Sequence, residues 1–208
     1  MSRNSAAILL LTITFGGGAY AQDAPYLRAG NKELGMFLGS SYGVDQWRVM
    51  GGGNFAYAVN RVVMPYVEFS YFPGIGREGS RTLQDGSISS FKSTIPVSDF
   101  HGGVHLRIPS GQSPVVPYLV GAAGLIRFSE QSVDVTVRDP RGQFADIRRQ
   151  ETVPSETNFA VNGGAGIRWY ASENIGFRVE VKVYKPVGAS QSLSDPFLKV
   201  TGGIFWQF

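Results

Sequence analysis

The chain contains no cysteine. That excludes disulfides, thiolate metal sites, a cysteine nucleophile and a lipid-modified N-terminal cysteine. Charge is also sparse: Asp, Glu, Lys and Arg make up 17% of 208 residues, 19 basic against 16 acidic, for a formal charge of +3. So slight an imbalance does not point to nucleic acid. No apolar stretch approaches the roughly 18 residues of a membrane-spanning helix, and helical periodicity is almost absent. Glycine and aromatic residues are what abound, with 27 Gly, 14 Phe, 9 Tyr and 3 Trp. Without a Gly-X-Y period this is not collagen, and so many aromatic side chains needing burial argue against disorder.

The N-terminus reads as an export signal. Arg3 supplies a positive start, Ala6 to Phe15 a short apolar run, and Ala19-Tyr20-Ala21 a small-x-small cleavage site. Gly16-Gly17-Gly18 interrupts the run before it could serve as an anchor. Residues 1–21 are therefore expected to be removed, leaving residues 22–208 as one domain.

Beyond the signal, apolar and polar residues alternate with period two in segments bounded by Gly, Pro, Asn, Asp and Ser. Eight such segments are predicted as strands: Glu33–Gly39, Trp47–Val59, Arg61–Phe72, Val97–Ile108, Val115–Phe128, Asn158–Tyr170, Ile175–Tyr184 and Phe197–Phe208. Most exceed the usual ~5–6 residues of a globular strand and match the ~9–11 that cross a membrane at a tilt. Their connections alternate in kind. Asn60, Pro109–Pro114 and Ala171–Asn174 are short, whereas Pro73–Pro96, Ser129–Thr157 and Lys185–Pro196 are long, with a modest Ser40–Gln46 opening the series. In an up-and-down meander this sorts tight turns to one end and elaborated loops to the other. The two longest loops read as protruding hairpins. One carries Val133, Val135 and Val137 ahead of the turn Asp139-Pro140-Arg141-Gly142, and the other carries Asp85-Gly86.

Alternation divides each strand into two faces. Ile175, Phe177, Val179, Val181 and Val183 oppose Arg178, Glu180 and Lys182; Phe100, Val104, Leu106 and Ile108 oppose Asp99, His101, His105 and Arg107; and Arg168 opposes Ile167 and Trp169. The same parity adds Glu33, Arg48, Glu68, Arg127 and Lys199 to the charged face. A soluble barrel would turn the apolar face inward and a membrane barrel outward. Aromatic placement decides between them. On the apolar face, Trp47, Phe69, Tyr71, Phe100, Phe128 and Phe159 gather toward the long loops. Phe55, Tyr57, Tyr118, Trp169, Phe177, Trp206 and Phe208 gather toward the short turns, with aliphatic and small residues between. Two aromatic rings bracketing an apolar band form the girdle of a membrane barrel. The prediction is an all-β, eight-stranded, antiparallel up-and-down transmembrane β-barrel.

The C-terminal strand ends on an aromatic, with Thr201, Gly203, Trp206 and Phe208 in a polar, glycine and spaced-hydrophobic arrangement. This resembles the assembly signal of bacterial outer-membrane proteins, and the chain as a whole resembles the small eight-stranded outer-membrane barrels of the OmpA/OmpX type. The resemblance implies a Gram-negative outer-membrane location after passage through the periplasm. It also implies recognition by the barrel-assembly machinery and contact with membrane lipid and lipopolysaccharide. Termini would be periplasmic, long loops outside, and the protein a monomer that binds no nucleic acid. The chain stops at the barrel, so a tether to the cell wall is not expected.

An eight-stranded barrel is just wide enough inside for its side chains to fill it. Glu33, Arg48, Glu68, Asp99, His101, Arg107, Arg127, Arg168, Arg178, Glu180, Lys182 and Lys199 are accordingly expected to form an interior charge network. That network would be either a structural plug or the lining of a narrow pore that favours anions. Gly52, Gly103, Gly121, Gly164 and Gly203 would line the same space. No nucleophile motif accompanies His101 and His105, and Ser98 has the wrong parity to join them, so no catalytic residues are assigned. The two histidines, i and i+4 in a strand, lie about 13 Å apart and could not hold one metal together. No cofactor is expected. The loop arginines Arg138, Arg141, Arg148 and Arg149, beside acidic neighbours, suit either a solvated surface or contact with anionic headgroups. The expected role is structural and surface-interacting through the long loops, with a solute channel as the alternative and a barrel enzyme third.

Overall fold

The computed structural model describes residues 24–43, 46–82, 88–129, 131–138, 147–188 and 195–208. For residues 43, 46–48, 72, 74–78, 81, 90–95, 131–138 and 147–153 the backbone alone is described. The proposed signal peptide, residues 1–21, lies outside the described residues, as do the turns at Asp85-Gly86 and Asp139–Gly142.

After a short 3-10 turn at Pro25–Leu27 come ten strands: β1 (Lys32–Gly43), β2 (Gln46–Tyr57), β3 (Val63–Thr82), β4 (Ile88–Arg107), β5 (Val115–Phe128), β6 (Gln131–Arg138), β7 (Ile147–Val153), β8 (Glu156–Tyr170), β9 (Ile175–Val187) and β10 (Phe197–Gln207). Eight of them close a ring of antiparallel neighbours in the order β1, β2, β3, β4, β5, β8, β9, β10 and back to β1. Closure leaves no free edge in the wall, as a strand structure in lipid requires. The remaining two, β6 and β7, form a hairpin that pairs onto the outer half of β4 through Ile88↔Arg138 to Lys92↔Asp134. Keeping the hairpin out of the wall agrees with the sequence reading. No helix among the described residues is long and apolar enough to cross a membrane.

Strand ends differ from expectation mainly at the loop end. β1 runs on to Gly43, and β3 and β4 continue pairing from Ile75↔Ile95 to Thr82↔Ile88, so most of the Pro73–Pro96 loop is a continuous ladder. Backbone bonding, rather than apolar alternation, sustains this extension, which is why the period-two pattern stops short of it. The register shifts between Phe72 and Ile75. Pro73 lies there, and without an N–H it cannot donate to a ladder and favours such an irregularity.

The turn end is tied more tightly. Asn60 Oδ1 accepts from the backbone N–H groups of Val62 and Val63, both at 2.7 Å, closing the β2–β3 turn. Ser172 Oγ does the same for Asn174 and Ile175 between β8 and β9. Lys32 and Phe208 exchange backbone hydrogen bonds at 2.8 and 2.9 Å, joining first and last strands beside the turns.

Burial is inside out. The outer wall exposes Leu38 (71%), Met36 (68%), Val179 (58%) and Trp206 (54%), together with a continuous belt of other large apolar side chains. Arg168, Lys199, His101 and Glu33 are fully buried within. So much exposed apolar area would associate in water and is satisfied only by lipid.

Candidate functional site

The barrel interior concentrates nearly all the chemistry-bearing side chains, stacked in levels by strand register. At the level nearest the turns, Arg168 of β8 pairs with Glu33 of β1 across the lumen and also bonds His105 Nδ1 at 2.9 Å. Its guanidinium stacks against the rings of Tyr118 and Phe205, each 5.1 Å from ring centre to Cζ. Arg107 of β4 donates from Nη2 to the Asn60 backbone carbonyl.

One level up, Lys182 of β9 sits between two carboxylates, 2.6 Å from Glu68 Oε1 and 2.7 Å from Glu180 Oε1. Tyr118 donates to Glu180 Oε2 at 2.8 Å, and His105 Nε2 stands 3.5 Å from the same oxygen. Gly166 makes room for this arrangement: a Cβ there would lie 2.5 Å from the Tyr118 ring and hydroxyl. Tyr66 stacks on His105 with centroids 4.1 Å apart, and Arg178 lies over Phe37 at 5.4 Å. Toward the hairpin end, Lys199 of β10 pairs with Asp99 of β4 and donates to Ser70 Oγ at 2.7 Å. Ser70 Oγ in turn donates to Asp99 Oδ2 at 2.8 Å, and His101 Nδ1 is 3.1 Å from Asp99 Oδ1. Buried charges removed from water are tolerable when paired in this way.

Both ends of the network are covered by apolar side chains. Phe37, Met50, Val97, Ile126, Phe128, Ala160, Tyr184 and Phe197 cluster toward the hairpins. Ala24, Leu27, Val116, Tyr170 and Phe205 cluster at the turn end. There the N-terminal 3-10 turn enters the mouth: Tyr26 stacks on Tyr170 at 4.6 Å, donates from its hydroxyl to the Gln112 carbonyl, and accepts from Gln207 Nε2 at its own carbonyl.

Of the residues assigned to the interior network, Glu33, Glu68, Asp99, His101, Arg107, Arg168, Arg178, Glu180, Lys182 and Lys199 are buried inside the barrel. Arg48 pairs by backbone with Ser41, and its side chain, like that of Trp47, lies outside the described residues. Arg127 departs from expectation. It is exposed on the outer face, while Ile126 and Phe128 point inward. The same reversal of β5 buries Tyr118 and turns Gly121 outward, so Tyr118 and Phe128 leave the aromatic girdles. The cause is that β5 is apolar on both faces, with Val116, Tyr118, Val120, Ile126 and Phe128 alternating against Val115, Leu119 and Leu125, so its single charge does not report which face is inside. At a strand end, an outward arginine reaches the interface along its own stem. The other described girdle residues, among them Phe69, Tyr71, Phe100, Phe159, Phe55, Tyr57, Trp169 and Phe177, are exposed as expected.

Sequence reading did not single out Ser70, Tyr66 and Tyr184 as network members. Each shares parity with an identified charge on its own strand, Glu68 for the first two and Lys182 for the third, and that parity was the available signal. In the C-terminal strand, Thr201 faces inward, Gly203 is half-buried, and Trp206 and Phe208 face out with rings 5.1 Å apart. Among the described residues no group of three or more His, Asp or Glu could hold a metal ion. The Asp99–His101 pair is buried beneath the apolar cap, with no nucleophile bonded to the imidazole.

No protein-family model matches the chain. No curated protein matches it in sequence. Solved structures do resemble it in shape. The crystal structure of Neisserial surface protein A superposes with a TM-score of 0.53 at 13% identity, over 86% of this chain and 96% of that one. A major outer membrane protein from Thermus thermophilus gives 0.52 at 8% identity, over 85% of this chain and 99% of the other. Ring closure, the lipid-facing belt and these superpositions agree: the chain has the fold of the small eight-stranded outer-membrane β-barrels.

Proposed function

We propose that this protein resides in a bacterial outer membrane as a closed, non-enzymatic barrel whose role is exerted through the strands projecting beyond its wall. The observation that carries the reading is the contrast between the two regions. The lumen is filled by ion-paired side chains between two apolar clusters. Outside it, β3, β4, β6 and β7 continue as one paired sheet, aligned by rows such as Glu78↔Lys92↔Asp134↔Gln150. A paired sheet holds its surface in one shape at a lower entropic cost on binding than four loose loops would. Arg148 and Arg149 on β7 and Arg138 at the end of β6 suit the sheet to anionic headgroups such as those of lipopolysaccharide. The C-terminal Thr201, Gly203, Trp206 and Phe208 would engage the barrel-assembly machinery, and the protein would act as a monomer.

The test has two arms. Refolded barrel in a planar bilayer is expected to give no persistent conductance; single-channel steps altered by Arg178→Ala or Lys182→Ala would replace this reading with that of a narrow channel. Replacing residues 131–153 by a short turn is expected to leave the heat-modifiable gel shift intact and to reduce binding to lipopolysaccharide-containing vesicles. Unchanged vesicle binding would remove the role given to the hairpin.

A further inference from the structure

We infer that the level of the interior nearest the turns holds a small inorganic anion, bound by Arg107 together with Arg168. Charge accounting in a sealed space leads to this. Among the described residues the lumen buries Arg107, Arg168, Arg178, Lys182 and Lys199 against Glu33, Glu68, Asp99 and Glu180. Grouped by contact, the upper levels balance. Asp99 is matched by Lys199, and Glu68 and Glu180 are matched by Lys182 and by Arg178, which lies within electrostatic reach of Glu180. Among the described residues the level nearest the turns does not balance, because Arg107 and Arg168 share the field of one carboxylate, Glu33.

A guanidinium does not deprotonate to relieve the mismatch. Nor does bulk solvent supply a passing counter-ion, since Leu27, Tyr170, Val116 and Phe205 close that end. Among the described residues the nearest side-chain acceptor to Arg107 is the neutral Tyr170 hydroxyl, which brings no charge, and donors on both guanidiniums stay without a well-aligned acceptor. Arg107 Nε and Nη1 and Arg168 Nε are buried without a hydrogen-bond partner, on side chains 1% and 0% exposed. Water could satisfy those donors but would leave the surplus charge in place, and a charge buried without compensation is strongly destabilising. A monovalent anion of chloride or bromide size satisfies donors and charge together.

Bromide is the probe. Crystals of the full barrel grown in bromide are expected to show an anomalous peak within hydrogen-bond distance of Arg107 Nε or Nη1. In detergent at constant ionic strength, the melting temperature followed by gel mobility should rise by a few degrees when gluconate is exchanged for chloride. Arg107→Met should lose that dependence on the anion, whether its own melting point is higher or lower. Absence of the peak in wild-type crystals, or an equal chloride response in Arg107→Met, would overturn the site. So would the finding that Asp23→Asn, just ahead of the N-terminal turn in sequence, creates a chloride dependence the wild type lacks, since the compensating charge would then belong to the chain.

Discussion

Replacing Lys182 by methionine tests whether the lumen is a dry plug or a hydrated passage. The ammonium lies 2.6 Å from Glu68 and 2.7 Å from Glu180, and all three side chains are 2% exposed or less. At such separations a unit-charge contact amounts to about 6 kcal/mol with an effective dielectric near 20, but to only about 1.6 kcal/mol in bulk water. The environment therefore decides the effect of the substitution more than the distance does. Methionine approximates the lysine stem in volume, so little cavity energy enters. What remains is two carboxylates in the lumen, with Arg178 acting on Glu180 and Lys199, already paired with Asp99, acting on Glu68.

For a buried network that loses one partner, a loss of roughly 3–5 kcal/mol is expected. The measurement is urea unfolding of the barrel in phospholipid vesicles, followed by tryptophan emission and heat-modifiable mobility on the same samples. Combining Lys182→Met with Glu68→Gln should recover more than half of the loss, because Glu180 then remains matched by Arg178 and no carboxylate is left in excess. A loss below about 1 kcal/mol for Lys182→Met alone, the range of exposed pairs, would refute the reasoning and mean that water screens the lumen.

Two further outcomes follow from the wall. Gly124→Ala places a Cβ inside contact distance of the Phe100 carbonyl oxygen and 2.7 Å from the His101 Cα, both backbone atoms, whereas Gly102→Ala, one residue along the same strand pair but on the lipid face, meets nothing within 4 Å. Chemical unfolding should therefore show a loss of about 1–3 kcal/mol for the first, or failure to fold, and a change within about 0.5 kcal/mol for the second. On the outer face, Val181→Arg in the middle of β9 should cost about 2–4 kcal/mol and Phe208→Arg at the rim about 0–1 kcal/mol. Equal costs at the two depths would mean that the apolar belt does not face a bilayer.

Much of the fold was legible because two independent periodicities coincide in the sequence. Alternation places Arg178, Glu180 and Lys182 opposite Val179, Val181 and Val183, and the spacing of turn residues sorts tight connections to one end. Ring closure adds nothing that contradicts either. Which charges meet was not legible. Glu33 and Arg168 are 135 positions apart, and Lys182 and Glu68 are 114 apart. Such pairings depend on how far neighbouring strands are staggered around the ring, and alternation within a strand carries no information about stagger. The extension of β3 and β4 was hidden for a different reason: beyond the lipid band no apolar face is required, so the backbone ladder continues without its usual pattern.

The unexpected parity of β5 and the proposed closure of the barrel have one physical origin. A pore of this size would keep inward positions polar at both rims, where water must enter. This chain does the opposite, placing Val116 and Phe205 inside at the turn end and Val97, Ile126, Phe128 and Phe197 inside at the hairpin end. Those are the inward residues that cap the charge network, as the closed barrel proposed above requires. They also make the inner face of β5 as apolar at its two ends as its outer face, which is why Arg127 misreported the parity of that strand. A strand of a small barrel whose alternation dissolves at both ends, next to strands whose alternation is sharp in the middle, thus marks a capped interior. The ambiguity is the trace that the proposed closed lumen would leave in the sequence.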